Sequence, residues 1–270
     1  MLRTRVVTGC ILGALLLLGL FLLPPNGAVL AFGAVFTIGA WEWAGFGALR
    51  AFAARACYTL GVALILLLGW RWTENPAHLI FLLALACTWW VIALAWLILA
   101  PTRHRPTVVL LCGLPVLMPA FLALARTQIS APAHRSGPLL VLWLVLMVCA
   151  ADIGAYFAGR RFGRRKLAPR VSPGKTWEGA LGGLLMVALV AWGGAAYFDL
   201  PPLGAIAFGC GVGIFSIIGD LTESMFKRAA ALKDSGGLLP GHGGLLDRID
   251  SVTAAAPLYA LGLFGSGVIR

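Results

Sequence analysis

Charge is scarce in this chain. Only 11% of its 270 residues are Asp, Glu, Lys or Arg, against 60% hydrophobic residues, which leaves too little polar surface to cover a water-soluble globule. The six cysteines, Cys10, Cys57, Cys87, Cys112, Cys149 and Cys210, stand singly in apolar stretches with no C-x-x-C spacing. That excludes a disulfide framework and a structural zinc site, and leaves the thiols as packing residues. Acid is almost missing from the first half, where only Glu42 and Glu74 occur; the other eight carboxylates lie between Asp152 and Asp250. No internal repeat is detectable, which argues against a transporter built from duplicated halves.

Long apolar runs fill the space that charge leaves. Mean hydropathy is +0.93, and nine stretches have the length of a bilayer-crossing helix: 6–23, 27–47, 54–71, 77–99, 107–124, 139–158, 178–198, 201–219 and 251–269. The pattern predicts an all-α, polytopic integral membrane protein with about nine transmembrane helices. The fifth span carries Pro115 and Pro119, and the eighth starts at Pro201-Pro202 and is rich in glycine, so both are expected to be broken or tilted. The first run follows Arg3 and Arg5 and turns at Pro24-Pro25-Asn26-Gly27 directly into the next span, which reads as a retained helix and not a cleaved leader.

The cations orient the chain. With the N-terminus in the cytoplasm, 17 of the 21 Lys and Arg fall on that side, from Arg3, Arg5, Arg50, Arg55, Arg103 and Arg105 through the seven between Arg160 and Lys175 to Lys227, Arg228, Lys233 and Arg248. Arg71, Arg126, Arg135 and Arg270 remain for the other side. This bias predicts a cytoplasmic N-terminus and an external C-terminus. The net charge of +11 then follows from topology and attraction to anionic headgroups. It calls for no nucleic acid.

Acid placement divides the chain by role within one integral membrane domain. Residues 1–138 form an N-terminal scaffold of five spans, and residues 139–270 a catalytic half with cytoplasmic loops 159–177 and 220–250. Three polar clusters lie in the second half. In the first, Asp152 and Tyr156 share a helix face, and Ser172, Lys175 and Thr176 stand where the chain enters span seven. Backbone N–H groups at that helix start favour phosphate, although the G-x-x-x-x-G-K-S/T spacing fails because Pro169 holds the position of the first glycine. In the second cluster, Asp220, Glu223 and Ser224 fall at i, i+3 and i+4. The third, Asp247 and Asp250 flanking Arg248, precedes span nine. Four carboxylates at the mouths of membrane helices are costly unpaired and suit a divalent cation. Oxygen-only donors favour Mg²⁺ over zinc, for which a single His242 is too few nitrogens. Gly236, Gly237, Gly241, Gly243 and Gly244 accompany them, as expected where backbone approaches a ligand.

The run S-x-F-K-R-x-x-x-x-K-D-x-G-x-x-L-P-G-H-G-G-x-x-D-R-x-D, Ser224 to Asp250, resembles the signature of the CDP-diacylglycerol synthases (phosphatidate cytidylyltransferases) at all of its fixed positions. The upstream D-x-G-A-Y-x-x-G-R-x-F-G and S-P-G-K-T-W-E-G segments resemble that family too, as does Trp41-Glu42-Trp43 in span two. The resemblance covers the C-terminal half from Asp152 to about Asp250; the N-terminal spans match in character alone.

It implies that CTP and phosphatidate give CDP-diacylglycerol and pyrophosphate with Mg²⁺ and a possible second cation, in a bacterial-type inner (plasma) membrane, with the active site facing the cytoplasm. A homodimer is also implied. On this resemblance Asp220, Asp247 and Asp250 hold metal, with Glu223 a ligand or an orienting neighbour. Lys227, Arg228, Lys233 and Arg248 bind phosphate oxygens. Asp152, Tyr156, Ser172, Lys175, Thr176, Ser224, Asp234, His242, Gly243 and Gly244 complete the substrate contacts, His242 as a hydrogen-bond donor. No general base is required, since a phosphate monoester is already largely dianionic near pH 7. Glu42 is left between a site role and a partner for a loop cation. The CDP-alcohol phosphotransferase motif D-G-x-x-A-R does not occur; a cytidylyltransferase acting on an isoprenoid lipid remains an alternative.

Overall fold

The computed structural model of the protein describes residues 2–101, 105–129 and 137–269, with side chains from residue 6 onward. Arg103, Arg135 and Arg270 of the charge census lie outside the described residues, as do the side chains of Arg3 and Arg5. Among the described residues nine α-helices follow in order: α1 Leu2–Phe21, α2 Pro25–Phe46, α3 Phe52–Trp72, α4 Pro76–Leu99, α5 Pro106–Ile129, α6 Gly137–Phe162, α7 Trp177–Ala195, α8 Pro202–Ala229 and α9 Asp250–Gly265. Helices α2 to α8 are long and apolar enough to cross a membrane; α1 contributes the shorter apolar stretch Val6–Phe21, and α9 has 16 residues.

Helix α5 is the hub. Two thirds of its apolar window is buried (67%), against 22% for α3 and 28% for α4 and α7, so α5 packs among its neighbours while the others show one face outward. That outward surface carries Leu64, Leu67, Phe81, Leu85, Ile92, Leu181, Leu185 and Trp192, an apolar girdle suited to the interior of a bilayer. Of the two outcomes the sequence offered for this span, a break does not occur: α5 runs on through Pro115 and Pro119. The helix is held in place from outside: Trp43 Nε1 donates to the Val109 carbonyl at 2.7 Å and Tyr58 Oη to the Leu110 carbonyl at 2.9 Å, just ahead of Pro115. These bonds tie α5 to α2 and α3.

Helix α8 departs further from expectation. It is unbroken, and it continues to Ala229 where the apolar run suggested an end near residue 219. The extra turns bury Leu221, Met225 and Phe226, and Glu223 and Lys227, at i and i+4, form an ion pair among them.

The all-helical bundle carries one small addition, an antiparallel hairpin of β1 Lys166–Ala168 and β2 Ser172–Thr176 between α6 and α7. Helices α6 and α7 meet through small residues at close range. A methyl group at Gly183 would stand 2.6 Å from the Ala151 carbonyl, and one at Gly179 would stand 2.9 Å from the Ala155 carbonyl. Such close backbone packing is how membrane helices gain contact without a hydrophobic driving force. It sets the hairpin directly over the end of α6.

Candidate active site

Two polar groupings form where the end of α6, the hairpin, the end of α8 and the start of α9 converge. The first is an open cavity of about 370 Å³, lined among others by Asp152, Tyr156, Arg160, Lys175, Thr176 and Asp220. Lys175 donates from the hairpin to Asp220 on α8, and Ser224 Oγ, one turn on, donates to the other Asp220 oxygen at 3.3 Å. Arg160 Nη1 donates to Tyr156 Oη at 3.0 Å. Asp152 acts at longer range, its charge felt by Asp220 and by the cations Lys175 and Arg248.

The helix start at α7 is not the free phosphate cradle that the sequence suggested. Thr176 Oγ1 accepts from Gly179 N–H at 3.1 Å, and Trp177 N–H donates to the Arg165 carbonyl at 2.9 Å. Both N–H groups are committed to the N-cap and the hairpin. Glu178 accepts in addition from Arg164 N–H and Arg165 N–H at 3.0 and 3.2 Å. Thr176 thus shapes the cavity wall, while Lys175 supplies its cation.

The second grouping is closed. Lys227 on α8 donates to Asp247 Oδ1 at 2.6 Å and lies 3.2 Å from Glu223 Oε1, an ion pair outside hydrogen-bond geometry. Asp247 Oδ2 accepts from Ser235 N–H, Gly244 N–H and Ser235 Oγ at 2.8, 2.9 and 3.0 Å. Burial alone would raise its pKa, but the Lys227 ammonium and the backbone donors of Gly244 and Ser235 prevail and hold it below the ordinary value. The carboxylate therefore stabilises the fold above the ordinary carboxylate range, and that contribution is lost as pH falls through the lowered value.

Glu42 enters this knot from α2. It is 4% exposed and accepts from Ser235 Oγ at 2.9 Å, Leu245 N–H at 3.0 Å and Leu246 N–H at 2.7 Å. The sequence left open whether Glu42 pairs with a loop cation; its partners are neutral donors instead. They lie 193 to 204 residues away in the chain, which is why spacing alone hides them.

Three of the loop glycines stand against these carboxylates. A methyl group at Gly236 would stand 2.7 Å from Glu42 Oε1, and one at Gly244 would collide with Ser235 Oγ and with the Glu42 carboxylate. Gly243 has φ +83, and its added carbon would meet Asp247 Oδ2 at 2.7 Å. Gly237 alone among these opens onto free space.

The remaining sequence candidates take varied places. Asp250 begins α9 and accepts from Ser251 N–H at 2.7 Å, with Gly219 of α8 against its carbonyl. Arg248 Nη2 donates to the His242 carbonyl at 2.9 Å, and His242 Nδ1 is buried without a hydrogen-bond partner among the described residues. Arg228 turns back to protein carbonyls, Nη1 to Leu232 at 3.3 Å and Nε to Val171 at 3.5 Å. Lys233 and Asp234 are exposed. Ser172 pairs with Ala168 in the hairpin and does not line the cavity. Sequence reasoning misses Arg160, which does line it, because the residue sits within a run of cations that topology already explains.

Among the described residues no three Asp, Glu, His or Cys side chains converge as a ready ligand cage. The donor set nearest to one is Asp220, whose charge acts on both Asp152 and Asp250. Mg²⁺ needs no cage: it commonly takes one or two carboxylates and completes its shell with water and substrate phosphates. Asp220 with Asp250 or Asp152 fits that pattern. Asp247 and Glu223 are already directed at Lys227.

A model described as the cytidylyltransferase family matches residues 3–264. A phosphatidate cytidylyltransferase of Haemophilus influenzae is 40% identical over 284 residues, covering 96% of this chain and 98% of the relative. One from Pseudomonas aeruginosa is 40% identical over 277 residues, covering 99% and 98%. A third, from Brucella suis, is 48% identical over 134 residues, covering 47% of this chain and 46% of its own.

Proposed function

The chain belongs to the cytidylyltransferase family, and from that premise we infer that it makes CDP-diacylglycerol and pyrophosphate from CTP and phosphatidate. The observation that carries the chemistry is the open cavity, where Lys175, Arg160, Asp220 and Asp152 meet beside apolar walls of Ala151, Ala155 and Ile217. Two polyanions must come together there, one anchored in lipid and one delivered from water. A cavity with two cations, two carboxylates suited to a divalent ion, and an apolar side fits that meeting.

The reaction joins a non-bridging oxygen of the lipid phosphate to the α-phosphorus of CTP, and the bond from that phosphorus to the β-phosphate bridge oxygen breaks. Pyrophosphate leaves with the bonding pair. The nucleophile is already anionic near pH 7, so no protein base removes a proton. The work of the site is to align the two phosphates and offset their charge. Lys175 acts as a point charge and Arg160 as a two-pronged donor, while Arg248 reaches the same field from the start of α9.

Asp220, with Asp250 or Asp152, would hold Mg²⁺ through carboxylate oxygens. When bound, the ion would polarise the α-phosphoryl group and neutralise the departing pyrophosphate. Its fit rests on the all-oxygen donor set.

We place the site on the cytoplasmic face of a bacterial inner (plasma) membrane because the sequence cations concentrate at that end of the helices. The 1–138 segment serves as scaffold and 139–270 as the catalytic half. A homodimer follows from the family resemblance, and nucleic acid takes no part.

The test is direct. Purified protein in lipid nanodiscs is supplied with CTP, Mg²⁺ and either phosphatidate or a polyprenyl phosphate, and released pyrophosphate and CDP-lipid are followed. Product with phosphatidate, abolished by EDTA and absent with ATP, is expected. Product with the polyprenyl phosphate alone would replace the assigned lipid substrate.

A further inference from the structure

We propose that Glu42 is a positioning residue of the reaction, which fixes from α2 the loop and turn that carry Asp247, Arg248 and Asp250. The proposal rests on the reading of the site above, and its geometry is independent of that reading. Glu42 belongs to the N-terminal half and stays outside the cavity lining, yet it contacts the 235–246 loop at three donors. A buried carboxylate is costly unless its oxygens are satisfied by hydrogen bonds, and here three donors satisfy it at 2.7 to 3.0 Å. Bonds to a charged acceptor are roughly twice as strong as neutral ones.

The position of those donors gives the residue its reach. Leu245 N–H and Leu246 N–H are the entry to the short 3-10 turn Leu246–Arg248, after which α9 starts at Asp250. Ser235 Oγ bridges the two acids, 2.9 Å from Glu42 and 3.0 Å from Asp247, its single proton shared between them. A displacement at Glu42 therefore passes to Asp247 and its Lys227 partner through Ser235, and to Arg248 and Asp250 through the turn. The charges of Arg248 and Asp250 act on Asp152 and Asp220 in the cavity. The packing also leaves the loop no easy alternative, since side chains at Gly236 and Gly244 would run into Glu42.

The alternative is that Glu42 merely helps the bundle fold. Loss of folded protein lowers the number of active sites, and with it the maximal rate, but leaves the KM of the survivors alone. A displaced turn changes the site itself. Glu42→Gln keeps the shape and removes the charge, leaving one carbonyl oxygen for three donors. We expect the KM for CTP and the Mg²⁺ concentration giving half-maximal rate to rise about 10-fold, small positional errors in such sites costing up to about 100-fold. The KM for phosphatidate should stay within about twofold.

Amide hydrogen exchange supplies the second readout, and it needs no turnover. In Glu42→Gln the amides of the 235–248 segment should exchange at least about 10-fold faster, while those of α5 and α6 keep their wild-type rates. Unchanged exchange in 235–248, or faster exchange throughout with the KM for CTP unaltered, overturns the proposal. Should Glu42→Gln fail to accumulate, Ser235→Ala removes the bridging hydroxyl and leaves both acids in place. A rise of about threefold or more in the KM for CTP supports the bridge, and a wild-type KM overturns it. If wild-type protein forms no CDP-lipid, the reaction assignment fails, and the exchange rates still judge the anchor.

Discussion

The cavity between α6 and α8 and the knot around Asp247 contain the same kinds of residue, acids and lysines a few turns apart, yet they are in opposite states. In the knot, Lys227, Ser235 N–H and Gly244 N–H donate to Asp247, Leu245 N–H and Leu246 N–H to Glu42, and the Ser235 hydroxyl is shared by the two acids. Its acids have little capacity left for anything else. In the cavity, Asp152 is exposed to the open space, and Asp220 is met by Lys175 and Ser224. Charge that is satisfied internally builds structure; charge left facing a cavity is available for substrate. The signature run from Ser224 to Asp250 therefore builds mainly the closed region and meets the cavity at its first residue, where Ser224 bonds Asp220.

The largest effects should separate these regions. Asp220→Asn keeps the cavity shape but removes a ligand charge, so kcat should fall by about 100-fold or more. The thermal midpoint in detergent should stay near wild type, since Asp220 is partly exposed. Asp247→Asn should lower both. Its side chain and that of Lys227 are only 6% and 9% exposed, and breaking one partner of a buried pair costs about 3–5 kcal/mol. Parallel melting curves and initial rates on the two variants provide the check. A stable, inactive Asp247→Asn would move that residue into the reacting centre and blur the contrast.

Several features are legible in the sequence alone. Apolar runs locate the nine helices of the described residues, seven of them long and apolar enough to cross a membrane, because a bilayer imposes both length and composition on anything that crosses it. The first polar cluster groups Asp152, Tyr156, Lys175 and Thr176, and these four do line one cavity, which Asp220 of the second cluster completes. What stays hidden depends on distant pairing. The extension of α8 to Ala229 holds a side-chain ion pair that hydropathy does not register. The hairpin before α7 is too short to show a strand period. The partners of Glu42 lie in a loop far along the chain, and the glycines around it read as ligand approach because nothing in their spacing reveals the carboxylates they make room for.

A middle-sized effect tests whether the glycines serve the knot. Gly243→Ala forces a side chain into left-handed backbone, at about 1–2 kcal/mol, and drives its methyl toward Asp247 Oδ2. A drop of roughly 10-fold in kcat with a lowered melting midpoint is expected. Gly237→Ala, where the added carbon meets nothing, should leave both values unchanged. Equal losses in the two variants would point to a ligand lying along the whole loop.

Smaller still is Arg228→Lys. The guanidinium reaches two carbonyls, those of Leu232 and Val171, and so ties α8 to the hairpin. A single ammonium cannot replace both arms. Because both contacts are long and Arg228 is exposed, we expect a loss of about threefold in rate with expression unchanged. A loss near 100-fold would instead assign Arg228 to a substrate phosphate and extend the open region into the loop.

The smallest functional effect belongs to a probe of orientation. Ser235, near the middle of the loop in sequence, is unsuited to a reporter because it is buried and bonded to both Glu42 and Asp247. Gly237 is exposed and has free space at its Cβ position. Gly237→Cys should therefore keep wild-type rates within about twofold. The six native thiols lie in apolar helices, so the wild-type protein supplies the labelling background. With the cations biased toward the loop end of the helices, a membrane-impermeant maleimide should modify the introduced thiol in inverted vesicles and spare it in intact cells. Modification from outside intact cells would reverse the orientation. It would then put the cavity on the side without CTP, breaking the assignment of the open region as the place where a water-borne nucleotide meets a membrane lipid.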